Sequence, residues 1–238
     1  FTDLGGDLRS NQRYRADDSR KPGLVWASGR VALKESNLIG LKMHLSSFEL
    51  HADLEMHCAP GGYAGLCEIE GGRTNISALF HKNPAAKAPR GELLVSYLES
   101  CGMHDLAERI SHAEVDENSH SAVSNVPSSY MRSAVSNEIC AVGDHFGMIG
   151  PFTGNGMSMA FESAAIAAEP LSAWSRGKAS WEDTAAGVMR QQHKAFRRRL
   201  HAALALQKLL LSSRGQDFFE LLSRSHLLPF KSLLSLVR

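Results

Sequence analysis

Cysteine is scarce in this chain and has no pattern. Cys58, Cys67, Cys101 and Cys140 include no CxxC pair, which argues against a zinc ribbon or a disulfide framework and fits reduced thiols. The 11 histidines contain no HxH or HExxH spacing, so no metal is expected. Charge of one sign is also lacking: 26 Lys and Arg face 25 Asp and Glu, and a net charge of +1 gives no reason to expect nucleic acid as a partner. No apolar run approaches the ~20 residues that span a bilayer. Phe1 opens into a polar, charged stretch with no signal-peptide pattern, so a cytoplasmic protein without a membrane span is expected. The first residue is not Met, and residues 1–6 read as the middle of a strand and turn, so the chain is expected to be a fragment lacking its N-terminus.

What is present is an ordinary globular mixture, 43% hydrophobic and 21% charged over 238 residues, enough for one large or two modest domains. An apolar strand is expected within 23–30, where Gly23 to Arg30 encloses Leu24, Val25 and Trp26. Residues 39–45, 51–57, 63–69 and 74–80 have β character and are separated by Ser, Gly and Pro signals. The clearest turns are Gly61-Gly62 and Gly71-Gly72, and an antiparallel sheet is expected. Residues 89–110 switch to helical spacing through Leu93, Leu94, Tyr97, Leu98 and Cys101. Residues 112–130 are polar and extended. A short buried strand is expected over 138–142, then a helix over 155–169 with Met157, Ala160, Phe161, Ala164 and Ala168 on its apolar stripe, ended by Pro170. The C-terminal third is helical, opened by a capping box at Ser180 and Asp183.

Chemistry concentrates in residues 139–160. A buried strand delivers Asp144 at its carboxyl end, where ligands sit in open α/β sheets. A carboxylate there can accept hydrogen bonds from ribityl or ribose hydroxyls. Gly154 and Gly156 then remove side chains ahead of a helix whose N-terminal N–H groups are free donors, suited to a phosphate or to the charge of a reduced flavin ring.

This stretch resembles the second flavin motif of the FAD-dependent monooxygenase and geranylgeranyl reductase superfamily: Gly-Asp, a short loop, Pro, then Gly-x-Gly and a helix of small residues. Gly143, Asp144, Pro151, Gly154, Gly156 and Met157 match in order and spacing. The resemblance implies that Asp144 binds the ribityl chain and that the turn over 151–157, Asn155 included, cradles the pyrophosphate side and the pyrimidine edge of the isoalloxazine. His145 and Phe146 depart from it, standing where the family has small residues. The strand ending at Arg30 is similar to the family's exit from the flavin domain, with Ser28 in place of the usual Asp. Residues 60–76 are similar to the family's substrate-domain hairpin, which lies over the flavin face. The family's N-terminal Gly-x-Gly-x-x-Gly, which holds the ADP half of FAD, does not occur, so a missing ADP-binding half is the implied partner.

The resemblance implies a mixed α/β (α+β) fold: a partial FAD-binding domain, an antiparallel substrate sheet and C-terminal helices. The expected divisions are 1–30 (remnant of the FAD-binding domain), 31–130 (substrate-binding sheet), 131–172 (second FAD-binding segment) and 173–238 (helical region). The implied function is that of an FAD-dependent oxidoreductase, foremost a reductase or dehydrogenase acting on a hydrophobic or aromatic small molecule, with NAD(P)H as candidate electron donor. A hydroxylase is the alternative, and a fragment unable to hold FAD by itself is another. Halogenation ranks last, because the hairpin has no Trp-x-Pro. Tyr63 is the best-placed candidate to touch substrate. His44, His51 and His57 read as ordinary strand histidines, and Arg197, Arg198 and Arg199 as a solvated helix face.

Overall fold

A computed structural model describes residues 2–12, 21–31, 36–127, 129–132 and 139–237. In chain order the strands are β1 (Val25–Trp26), β2 (Leu38–Ser46), β3 (Leu54–Ala59), β4 (Gly62–Ile69), β5 (Arg73–His81), β6 (Glu114–Val115), β7 (Ser121–Ser124), β8 (Tyr130–Met131), β9 (Cys140–Ala141) and β10 (Gly147–Met148). The helices are α1 (Leu93–Ser100), α2 (His104–Ser111), α3 (Gly156–Ser175), α4 (Trp181–Leu210), α5 (Ser213–Arg224) and α6 (Phe230–Val237). The fold is a mixed α/β arrangement of an antiparallel sheet with C-terminal helices, as expected.

The main sheet runs β3-β4-β5-β2, antiparallel throughout, and both β6 and β7 pair with the far side of β2. Period-two patterning divides its faces. Leu41, Met43, Leu45, Leu66, Ile76 and Phe80 point to one side, where α1 and α2 cover them with Leu94, Leu98, Leu106 and Ile110. The predicted helix over 89–110 is therefore two helices, parted at Gly102, whose φ of +84° suits glycine. A carboxylate pins this layer to the sheet edge. Glu55 accepts two bonds from Arg109, at 2.9 and 3.2 Å, one from the His51 amide at 2.6 Å, and pairs with His57 at 2.8 Å. Arg109 foremost, with the other two contacts, pulls the Glu55 carboxyl from its usual range down to about 2, against the opposing effect of burial.

The second layer holds the motif segment of residues 139–160. Strand β9, the short buried strand expected here, pairs in parallel with β1 (Val25↔Cys140, Trp26↔Ala141) in a two-stranded sheet, and both its side chains are fully buried. Ala167 of α3 and Trp181, Ala185 and Val188 of α4 cover it, because the small side chains of β9 admit close helix packing. Glu138, at the start of the predicted strand, lies outside the described residues.

Helix α3 corrects two further expectations. It runs through Pro170 to Ser175. A proline costs one backbone bond, but Leu171 and Trp174 anchor the last turns, with Trp174 edge-on to Trp181 at 5.0 Å. Its buried stripe is Met159, Ser163 and Ala167, whereas Met157 and Phe161 are 78% and 76% exposed. The segment is rich in small and apolar residues all round, so spacing alone did not choose the face. Helix α4 begins as predicted, with the Ser180 hydroxyl accepting from the Asp183 amide at 3.0 Å. No helix among the described residues is long and apolar enough to cross a membrane.

Candidate functional site

The parallel strand β9 ends at Ala141, and two residues on, Gly143, with a φ of +58°, turns the chain sharply. A Cβ there would sit 3.5 Å from that of Ala160, so the turn bearing Asp144 lies against the first turns of α3. A buried polar chain fixes this turn. The Gly143 amide donates to Ser163 Oγ at 2.8 Å, Ser163 donates to Gln192 Oε1, and Gln192 Nε2 donates to the Ala141 carbonyl at 2.9 Å. Ser163 and Gln192 are 1% and 0% exposed. Neither was singled out from the sequence. Their signal is a polar residue on a helical stripe that is otherwise apolar, visible only once the correct face is known.

Asp144 is half-buried, and burial raises its carboxyl above the usual range. Its backbone carbonyl accepts from the Tyr130 hydroxyl, which also receives the Val31 amide at 3.1 Å. Among the described residues its carboxylate makes no hydrogen bond or ion pair. A partly desolvated, uncompensated charge is costly unless a ligand supplies donors.

His145 turns away from that carboxylate. Its ring stacks on Trp26 with centroids 5.2 Å apart and planes 17° from parallel. Nδ1 lies 2.9 Å from Ser28 Oγ, and Nε2 lies 3.0 Å from an Arg132 nitrogen. Guanidinium only donates, so Nε2 accepts and Nδ1 carries the proton that reaches Ser28. Burial first, then the Arg132 charge, lowers the basicity of this imidazole. Two of the three positions that depart from the pattern of the resemblance, Ser28 and His145, are thus bonded to each other.

Residues 151–157 form the turn that opens α3, whose Ala160 lies against Gly143. Pro151–Thr153 form a short 3-10 turn, and Gly154, at φ +65°, leads into α3. A Cβ on Gly154 or Gly156 would meet no protein atom within 4 Å. Asn155 occupies the N-cap position of α3 without capping it, because its side chain donates to the Val237 carbonyl at 2.9 Å. The opening N–H groups of α3 therefore have no side-chain cap. Met157 is exposed, while Met159 is core. These residues fit the flavin end of FAD: an acceptor for ribityl hydroxyls, open space at two glycines and an uncapped helix start.

The other face of the main sheet bounds a cavity of about 810 Å³ whose further walls are residues 151–154 with α4, α5 and α6; of the predicted site residues Pro151 and Gly154 line it, and Gly143, Asp144, Asn155, Gly156 and Met157 are not among its lining residues. Tyr63 lines it, edge-on to Phe152 with centroids 6.3 Å apart. Burial raises the Tyr63 phenol well above its usual range. The Phe152 backbone lies close enough to oppose this slightly but makes no hydrogen bond of ordinary geometry with it. His44, His51 and His57 are not among the lining residues. Of the basic run, Arg199 bonds Glu162 at 3.0 Å and lies over Phe196.

No family model matches the chain, and no curated protein matches it. Solved structures do match in fold. PqsL of Pseudomonas aeruginosa, described as a probable FAD-dependent monooxygenase, aligns at a TM-score of 0.60 and 20% identity over 82% of this chain and 58% of its own. The flavin-dependent brominase Bmp2 aligns at 0.63 and 14% over 84% and 50%. HpxO of Klebsiella pneumoniae, solved with FAD, aligns at 0.55 and 13% over 84% and 50%. The chain spans between half and three-fifths of the length of these proteins, and its fold is that of the corresponding part of flavin-dependent monooxygenases and halogenases.

Proposed function

We propose that this chain is part of an FAD-dependent oxidoreductase acting on a hydrophobic or aromatic small molecule. The observation that carries the reading is the shared cavity: the flavin-type segment at 151–154 forms one wall and the open sheet face with Tyr63 forms another. Asp144 holds the ribityl chain, Gly143 aims it, and Pro151, Gly154, Asn155, Gly156 and Met157 present backbone to the flavin. FAD, when bound, supplies the redox chemistry. The protein orients substrate, excludes water and supplies acceptors.

Within this class, monooxygenation is proposed ahead of reductase or dehydrogenase chemistry. It is favoured by the description of PqsL as a probable FAD-dependent monooxygenase and by a PqsL complex with the aromatic compound 2-aminobenzoylacetate. NAD(P)H is the proposed electron donor. The test is titration of FAD, and of riboflavin as the flavin end alone, read by quenching of flavin fluorescence. Saturable binding that Asp144→Ala weakens roughly 10- to 150-fold is expected from the loss of charge-assisted bonds. Absence of binding, or equal binding by the variant, overturns the assignment.

A further inference from the structure

The cavity has two chemically different ends, set by sheet register. One cross-strand row on the open face is Gly40, Leu79 and Tyr63, with Val123 of β7 opposite Gly40. Tyr63 and Leu79 are buried, and this end meets Phe152. The next row is Lys42, Ser77 and Gly65, with Ser121 of β7 opposite Lys42. The row beyond contains Asn75 and Cys67. Successive rows on one face are about 7 Å apart.

The second and third rows carry the polar groups. Lys42 is the sole charged residue among the described lining residues, and no carboxylate lines the cavity. It has no ion pair among the described residues, and the Ser77 and Ser121 hydroxyls flank it in register. Asn75 Nδ2 donates to Ser77 at 3.2 Å, leaving Oδ1 shut away from solvent without a partner. One exposed cation and two flanking exposed hydroxyls stand beside an otherwise apolar chamber, and they are the groups here that can donate to an anion.

We infer that the substrate is an amphiphilic acid whose apolar body lies against Tyr63 and Phe152 and whose carboxylate is received by Lys42 with Ser77 and Ser121. This deepens the oxidoreductase reading and rests on it for the word substrate. The register puts the acid about 7 Å or more from the end of the molecule that lies beside residues 151–154. It also excludes cationic amines as preferred ligands, since their charge would meet Lys42.

The test uses the 238-residue chain at low ionic strength without flavin. N-phenyl-1-naphthylamine, a neutral apolar fluorophore, reports on the chamber, and decanoate is compared with decan-1-ol as displacing ligand. Decanoate is expected to displace the probe at lower concentration than the alcohol. Lys42→Met should weaken decanoate roughly 5- to 10-fold and leave probe and decanol unchanged, the range reflecting a cation that is partly exposed and screened. Ser121→Asp, on a different and exposed strand, places a carboxylate opposite Lys42 and should abolish the same preference. Equal displacement by acid and alcohol, a decanoate affinity indifferent to both variants, or no probe binding overturns the inference. Because no arm contains flavin, failure here is separate from failure of riboflavin binding, which tests the oxidoreductase reading.

Discussion

Replacing Asp144 by Asn should move two quantities in opposite directions. The substitution keeps the shape of the side chain and removes its charge. In the free protein that charge is half-buried and without a partner among the described residues, and burial raises its pKa. A raised folded-state pKa means that the favourable contribution is fully present below the unfolded carboxyl value and is lost as pH rises through the folded one. At pH 7 the wild type therefore bears the whole penalty, and Asn relieves it. The variant should melt at or above the wild-type temperature near neutrality, and the two curves should converge in acid. Flavin binding should respond the other way. A carboxylate accepting from ribityl hydroxyls contributes about 1.5–3 kcal/mol per charge-assisted bond, so riboflavin and FAD affinity should fall roughly 10- to 150-fold. Thermal melts from pH 4 to 8, with quenching titrations of flavin fluorescence, check both halves. A variant that is less stable at pH 7 and binds flavin as well as wild type would show that Asp144 is a structural turn residue.

Other perturbations follow from the same contacts. Gln192→Leu strands the Ala141 carbonyl and the Ser163 hydroxyl in the core, and should cost about 2–3 kcal/mol in urea denaturation while weakening flavin binding through a displaced Gly143 turn. Phe196, fully buried beside Phe146, should cost about 3–5 kcal/mol when cut to Ala, measured in the same way. Glu55, held down to about 2 chiefly by Arg109, contributes stability that is present above its unfolded pKa and lost as pH falls from about 4.5 toward 2. Glu55→Gln should flatten that acid-side loss, worth up to about 3 kcal/mol, in pH-dependent melts. His145 should stay neutral, with its proton on Nδ1, somewhat below the usual imidazole range in nitrogen-15 NMR, and Ser28→Ala should change that signal at a cost of about 1 kcal/mol.

The strands of the main sheet were legible because one face is buried and the other is not, so residues such as Leu41, Met43 and Leu45 alternate with Gly40, Lys42 and His44. Period two then fixes both element and face. Helix α3 was legible as a helix but not in orientation. Met157, Phe161 and Ala164 compete with Met159, Ser163 and Ala167, and only the position of β9 and α4 decides between them. The same ambiguity hid Ser163 and Gln192, whose partners are 29 and 51 residues away. The turn at Asp144 and the glycine-bearing entry to α3 were legible as backbone features because a carboxylate after a buried strand and paired glycines before a helix are local signals. The polar mouth at Lys42 was not, since it exists only when three strands are in register.

Ser28 and His145 show how positions far apart in sequence become one feature. Taken singly, each is a departure: a hydroxyl where the family has a carboxylate, an imidazole where it has a methyl group. In the fold they are 2.9 Å apart, and Trp26 and Arg132 hold the ring from the remaining sides. An imidazole next in sequence to Asp144 could have neutralised it as a cation, which would lower the carboxyl pKa and occupy its acceptors. Both ring nitrogens are instead engaged elsewhere, and Arg132 disfavours the protonated ring. The arrangement accommodates a bulky residue in the motif while leaving the Asp144 carboxylate available for a ligand.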